Sequence, residues 1–308
     1  MTAPAVVVED LHVAYGRTWA LDGVDLEVAA GATLGVLGHN GAGKTTLIRA
    51  LTTLVRPTVG RVQIGGRDVV SEATEVRRRI GVTGQYAGLD EFLTARENLE
   101  LIGRLAGLRR RARPRAEALI DRLGLHEYAA RRIGELSGGS RRRVDLAASL
   151  VGDPSVLFLD EPTTGLDPLA RAGLWDVVDE LTTAGTTVVL TTQYLEEADR
   201  LADDIVVLNR GRIAARGTPA ELKQIVGGKV LHVTVPVHQV ADLPFTPDTD
   251  RADGTRARVS VTVEDAPTAT ALVADLHRGG LDITDLDVTS PSLDDVFTHL
   301  AHTTGAPR

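Results

Sequence analysis

Gly38-His39-Asn40-Gly41-Ala42-Gly43-Lys44-Thr45-Thr46 carries the spacing of a phosphate-binding loop, a glycine followed after four residues by glycine, lysine and threonine. Glycines let backbone N–H groups wrap phosphate oxygens, Lys44 can reach the β- and γ-phosphates of a nucleotide, and Thr45 can hold Mg²⁺. Farther along, the apolar run "SVLFLDEP" ends on Asp160 and Glu161. Carboxylates at the carboxyl end of a buried strand lie where open α/β sheets bind ligands. Asp160 is therefore assigned to Mg²⁺, directly or through water, and Glu161 to the water that attacks a γ-phosphate. Between the two motifs, "LSGGS" at Leu136 to Ser140 opens a helix with serine and two glycines. Such an N-terminus also suits an anion, so the chain carries a second phosphate site remote from the first.

These residues need a scaffold. "TLGVLG" is a short apolar strand running into the glycine loop, and "KTTLIRALTTL" is the helix that follows. "VVVEDLHVAYG" and "ALDGVDLEV" read as earlier strands, and "SVLFLD" and "TTVVLTT" as later buried ones. Buried runs alternating with helical segments imply an α/β core with a largely parallel sheet. Thr94-Ala95-Arg96-Glu97 has the spacing of a capping box and starts a helical insertion of about 86–150. Arg109 to Arg115 reads as a solvated loop, and Arg141 to Arg143 as the outer face of the "LSGGS" helix, with Asp145 one turn from Arg141. Thr218-Pro219-Ala220-Glu221 begins a helix that closes a first domain, 1–227. Residues 228–308 then read as a small α+β domain: strands "KVLHVTVPV" and "RARVSVTV", a helix over Pro267 to Arg278, a strand "LDITDLDV" and a last helix. In that last helix Ser290 and Pro291 begin the first turn, and Leu293, Val296, Phe297 and Leu300 share a face.

Composition limits the alternatives. With 308 residues, 43% of them hydrophobic, the chain can bury a sizeable core, and no apolar run approaches a membrane span. The absence of cysteine excludes disulfides, thiolate metal sites and cysteine nucleophiles. A formal net charge of -8 argues against a surface built for nucleic acid, and no nucleic-acid partner is expected. Lysine occurs only at Lys44, Lys223 and Lys229. One of the three stands in the phosphate loop of a chain that otherwise uses arginine.

In the order "GHNGAGKT", "LSGGS", "LFLDEP", "TGLD", the chain resembles the ATP-binding cassette (ABC) family over about Val6 to Leu222. The resemblance implies a P-loop NTPase core of ABC type with a helical subdomain, and a homodimer binding ATP and Mg²⁺. Nucleotide would be held by Tyr15 on adenine, by Gly38 to Thr46 on the phosphates and by Gln85. Thr45, Gln85 and Asp160 would serve the metal. Ser137, Gly138 and Gly139 would act on the ATP of the opposite subunit, and Asp167 in "TTGLDP" would couple the two sites. Gln193 stands where the family usually has histidine. An amide can hydrogen-bond a γ-phosphate but takes up no proton near neutral pH, so catalysis leans on Glu161 with Gln193 in support.

"LTTQYLEEADRLAD", "LSGGSRRRVDLAASL" and the C-terminal "SPSLDDVFTHL" are similar to the daunorubicin-resistance type of drug-export ATPase, Ser140 replacing the usual methionine or glutamine. This implies a peripheral subunit on the cytoplasmic face of the cell membrane. It would work with an integral membrane permease on a separate chain to export a drug, antibiotic or lipid-like compound. A soluble ABC ATPase acting on ribosome or DNA, and an importer ATPase, are the alternatives.

Overall fold

The computed structural model describes residues 3–84, 88–226, 228–245, 248–252, 255–289 and 292–296. Its contacts divide the chain into two compact units, residues 1–218 and 219–308.

In the first unit, strands β1 (Val6–Tyr15) and β2 (Thr18–Val28) form an antiparallel hairpin. β3 (Thr33–Leu37) leads through the glycine loop into helix α1 (Lys44–Leu51). β4 (Val59–Ile64) and β5 (Arg67–Asp68) complete a sheet of order β2-β1-β4-β5. Helix α2 (Ala73–Arg77) and β6 (Ile80–Thr83) precede three longer helices, α3 (Ala95–Leu105), α4 (Ala112–Arg122) and α5 (Gly138–Ser149). Then follow β7 (Val156–Asp160), α6 (Pro168–Thr183), β8 (Thr187–Thr192), α7 (Leu195–Leu201), β9 (Asp204–Asn209) and β10 (Arg212–Gly217). The second sheet has order β10-β9-β3-β8-β7-β6, parallel throughout except for the β10 edge.

β3, β7 and β8 are buried along their whole lengths, which is why each has a continuous apolar centre rather than an alternation, with buried threonines and Asp160 at the ends. Successive side chains nevertheless face opposite layers. Val156 and Phe158 pack with Leu47 and Ile48 of α1, whereas Leu157 and Leu159 pack with Leu99, Ile120, Val144 and Trp175 on the helical side. The same parity places Asp160, the last residue of β7, on the α1 side of the sheet.

The capping box forms as expected: Thr94 accepts from the Glu97 N–H and Glu97 returns the bond to Thr94. The expected loop at Arg109 to Arg115 is instead a 3₁₀ turn at Arg109–Arg111 running directly into α4. Arg115 turns inward and donates to the carbonyls of Leu150 (2.7 Å) and Val151 (3.2 Å), capping the carboxyl end of α5.

The second unit contains α8 (Pro219–Val226), β11 (Lys229–Pro236), β12 (Asp248–Ala252), β13 (Arg256–Val263), α9 (Ala266–Arg278) and β14 (Asp285–Thr289). Its sheet, β12-β13-β11-β14, is antiparallel. Ala269 and Leu276 of α9 pack on Leu231, Val233 and Val259. The contact boundary at 218/219 differs from the sequence boundary at 227/228 by helix α8, which clusters with the second unit. Leu293 and Val296 of the expected last helix are buried; Ser290, Pro291, Phe297 and Leu300 lie outside the described residues.

Candidate active site

The phosphate loop is shaped by close backbone approaches. A Cβ on Gly38 would stand 2.6 Å from the Leu208 carbonyl oxygen of β9, so only glycine fits where the chain leaves β3. Gly43, at φ 111°, lies in the left-handed region, and a Cβ there would meet the Ala20 carbonyl oxygen at 2.7 Å. Ala42 is buried beneath the loop, while His39, Asn40 and Gly41 form its exposed tip. α1 starts without a side-chain cap, so its first-turn N–H groups and the positive end of its dipole face the loop. Thr45 and Thr46 sit half-buried in that turn. The Lys44 ammonium is buried and donates to the carbonyls of Gly38 (2.6 Å) and His39 (3.3 Å), 3.7 Å from Oε1 of Glu161.

Strand register brings the other groups to the same edge. Leu37 pairs with Thr192, and Thr191 with Asp160, so Gly38, Gln193 and Glu161 each stand one residue beyond the aligned ends of β3, β8 and β7. This is the carboxyl edge at which parallel sheets bind ligands. The Thr191 hydroxyl donates to Oδ1 of buried Asp160 at 2.6 Å and accepts from the Glu161 N–H at 3.1 Å. Glu161 has φ 49°, a left-handed conformation that non-glycine residues hold only where their surroundings impose it. Leaving the strand this way, Glu161 turns toward Lys44 while Asp160 stays inside. Gln193 is exposed.

Ser137 caps α5, its hydroxyl accepting from the Ser140 N–H at 3.2 Å; among the described residues its side chain bonds to Ser140 alone. Gly138 has open space around it, and a Cβ on Gly139 would sit 3.1 Å from Ala170 in α6. Ala170 in turn donates its N–H to Asp167, the cap of α6, at 2.9 Å. Ser137 to Gly139 and Asp167 thus form one surface on adjoining helix starts, and no bond among the described residues ties Ser137 to the phosphate loop of its own chain.

Arg141 to Arg143 do not share an outer face. Arg141 pairs with Glu91 at 2.8 Å, Arg143 lies over Gly173, and Arg142 is largely enclosed, with Asp145 as its ion-pair partner. The expected Arg141–Asp145 pairing is replaced because Asp145 lies on the inner side of α5 with Arg142, three residues earlier. Burial pushes the Asp145 carboxyl up to about 6, against the opposing pull of Arg142 and a hydrogen bond from Gly88.

Behind Gln193, Trp175 of α6 donates to buried Glu197 of α7 at 3.0 Å, and Arg171 stacks 4.6 Å from the Tyr194 ring centroid. Burial raises the Glu197 carboxyl, opposed by the nearby Thr192 hydroxyl, by the hydrogen bond from Trp175, by the nearby Thr163 hydroxyl and by the Arg171 charge; one Glu197 oxygen has no hydrogen-bond partner among the described residues. Thr191, Arg142 and this pair of helix contacts had no motif to announce them. Tyr15 is half-exposed at the tip of the β1–β2 hairpin, whose Ala20 carbonyl abuts Gly43, rather than packed in the core. Gln85 lies outside the described residues.

The donor set fits a nucleotide-bound Mg²⁺. Among the described residues no group of three or more His, Asp or Glu side chains could hold a metal by itself. Mg²⁺ takes one or two protein ligands with the rest from phosphate and water, as Thr45 and Asp160 at one loop mouth would supply.

The family profile described as ABC transporter matches residues 21–164, and that of the ATP-binding protein DrrA1-3-like C-terminal domain matches residues 217–301. Daunorubicin resistance ATP-binding protein DrrA3 of Streptomyces coeruleorubidus is 50% identical over 307 residues, covering 97% of this chain and 96% of the relative. Daunorubicin/doxorubicin resistance ATP-binding protein DrrA of Streptomyces peucetius is 47% identical over 315 residues, covering 98% and 93%. Among solved structures, the dimeric post-hydrolysis state of the ATP-binding cassette MJ0796 bound to ADP and Pi superposes with a TM-score of 0.62 at 27% identity, covering 69% of this chain and 98% of that one.

Proposed function

This chain belongs to the ATP-binding cassette transporter family, in the branch of the daunorubicin-resistance ATP-binding proteins, and we propose that it is the ATP-hydrolysing subunit of an efflux transporter whose membrane permease is a separate chain. The observation that carries the reading is the meeting of Lys44, Asp160, Glu161 and Gln193 at one sheet edge while Ser137 to Gly139 stand on another surface with, among the described residues, no bond from the Ser137 side chain to that edge. An ATP held at the first surface needs a second copy to supply the other.

In this reading Tyr15 stacks on adenine and Gly38 to Thr46 hold the phosphates, their N–H groups and the α1 dipole matching the negative charge. Thr45, Gln85 and Asp160 would hold Mg²⁺, which when bound would offset charge developing on the phosphate oxygens. Lys44 reaches the β- and γ-phosphates. Glu161 orients and deprotonates the attacking water, and Gln193 donates to the γ-phosphate. Ser137, Gly138 and Gly139 of one chain close over the ATP of its partner, and Asp167 couples the two sites. Hydrolysis removes the phosphate that bridges the subunits and reopens the pair. The functional division is an ATPase domain, 1–227, with its helical insertion at about 86–150, and a C-terminal domain, 228–308. None of the described helices is long and apolar enough to cross a membrane. In this reading the chain is a peripheral subunit that reaches the cytoplasmic face of the membrane through its permease.

The test is to tag the chain, solubilise native membranes in mild detergent, and identify what co-purifies in stoichiometric amount. A multi-span membrane protein is expected. Ribosomal or DNA-bound proteins without one would overturn the transporter reading.

A further inference from the structure

Arg142 is five residues into the helix that Ser137 caps, yet its side chain points back into the core and is only 12% exposed. Its guanidinium donates to the carbonyl oxygens of Gly84 (2.5 Å), Pro162 (2.9 Å), Asp160 (3.2 Å) and Glu161 (3.2 Å). Asp145 contributes a longer contact at 3.5 Å. Three of these carbonyls belong to consecutive peptides running through the acid pair, and the fourth precedes Gln85. The middle of the three, Glu161, is the residue at φ 49°.

A left-handed glutamate persists only if something holds its peptide units from both sides. Thr191 does so from one side, taking the Glu161 N–H with its hydroxyl and carbonyl oxygens, each at 3.1 Å. On the other side the Glu161 carbonyl accepts from Arg142 at 3.2 Å and, more weakly, from the Thr164 N–H of its own turn at 3.4 Å, so Arg142 is the contact that comes from another element. A planar guanidinium with five N–H donors can span four carbonyls, and a burial that costs the cation hydration is offset by charge-assisted bonds to each.

We propose that Arg142 is a positioning residue: it holds the Glu161 peptide in its strained conformation and ties the helix headed by Ser137 to the catalytic carboxylate of the same chain. This rests on the role given to Glu161 above. Because Ser137 serves the partner's nucleotide, each chain carries a strut between its two half-sites. A shift of α5 on meeting the partner's ATP is delivered to the backbone that aims Glu161.

The test compares R142K, R142Q and D145N in the full chain, measuring ATP affinity, kcat and the melting curve of each. Lysine keeps the charge but is a single ammonium that cannot span the four carbonyls. ATP affinity in R142K should stay within about twofold while kcat falls roughly ten- to a hundredfold, the cost of a displacement of about 1 Å at a reacting group. R142Q retains a planar donor for one or two carbonyls and should fall in between, so the comparison stands even where R142K folds poorly. D145N removes only the longest contact and should keep kcat within about threefold. Unchanged kcat in both arginine variants, or a loss in D145N equal to that in R142K, overturns the proposal. E161Q run alongside separates the two readings: if it keeps full turnover, the role of Glu161 fails whatever Arg142 does.

Discussion

Asp145→Asn should alter how stability depends on pH, and the size of the effect can be worked out. The Asp145 carboxyl is 6% exposed and burial pushes it from 3.8 up to about 6, with Arg142 at 3.5 Å failing to offset the lost hydration. Its folded-state value lies above its unfolded value, so the unfolded chain releases its proton first as pH rises. Stability therefore falls through the window from about pH 4 to pH 6 and the loss is complete above it. A shift of roughly two units corresponds to about 3 kcal/mol, about half of it already lost near pH 5. Asparagine has the shape of the protonated carboxyl and carries no such cost. Above pH 7 D145N should exceed the parent by about 3 kcal/mol, or about 6–12 °C in Tm for a unit of this size, and the gap should close below pH 4. Both tryptophans, Trp19 and Trp175, lie in the first unit, so tryptophan fluorescence in thermal melts reports on that unit. Glu197, also raised by burial, is present in both chains and cancels. A gap that stays constant between pH 4.5 and 7.5, or a D145N chain less stable than its parent at pH 7.5, would mean that burial does not hold the Asp145 carboxyl above its ordinary value.

Three further outcomes follow from the site. Glu161→Gln should still bind ATP while steady-state hydrolysis drops about a hundredfold or more, and size-exclusion chromatography with ATP should show a lasting dimer. Thr191→Val removes the hydroxyl shared by Asp160 and the Glu161 N–H; Mg²⁺-dependent nucleotide affinity should weaken about tenfold in titration calorimetry while binding without Mg²⁺ is kept. Trp175→Phe leaves a buried Glu197 oxygen without its donor and should cost about 1–3 kcal/mol in urea unfolding; adding Glu197→Gln should restore part of that, since the double variant no longer buries a carboxylate.

The legible parts of the molecule were those with a local rule. The phosphate loop and the Thr94 capping box are set by near-neighbour geometry, and their residues stand where spacing placed them. β3, β7 and β8 announce themselves because burial on both faces favours a continuous apolar stretch at the centre of each, with the polar residues confined to the strand ends. β4, β5 and β6 do not: half of β4 is exposed and β5 is two residues long, so neither an alternation nor an apolar run emerges. The three arginines at Arg141 to Arg143 look alike in sequence, and their environments differ only because a helix turns each by about 100° toward a different neighbour. Helical spacing could have separated them, since Arg142 lies two residues from Val144 and three from Asp145, both buried, whereas composition alone groups them as a solvated run. Thr191 had no such signal: its task depends on strand register with Asp160, a contact 31 residues away.

In the proposed arrangement each ATP is enclosed by the phosphate loop of one chain and by Ser137 to Gly139 of another. Its most direct test mixes a Lys44→Ala chain with a Ser137→Arg chain and measures ATP-dependent dimer formation. In the mixed dimer one composite site combines both lesions and the other is intact, so the mixture should form dimer with ATP where neither variant does alone. If mixing gives no more dimer than the separate variants, the two surfaces do not meet across subunits, and the division of the site between chains is wrong.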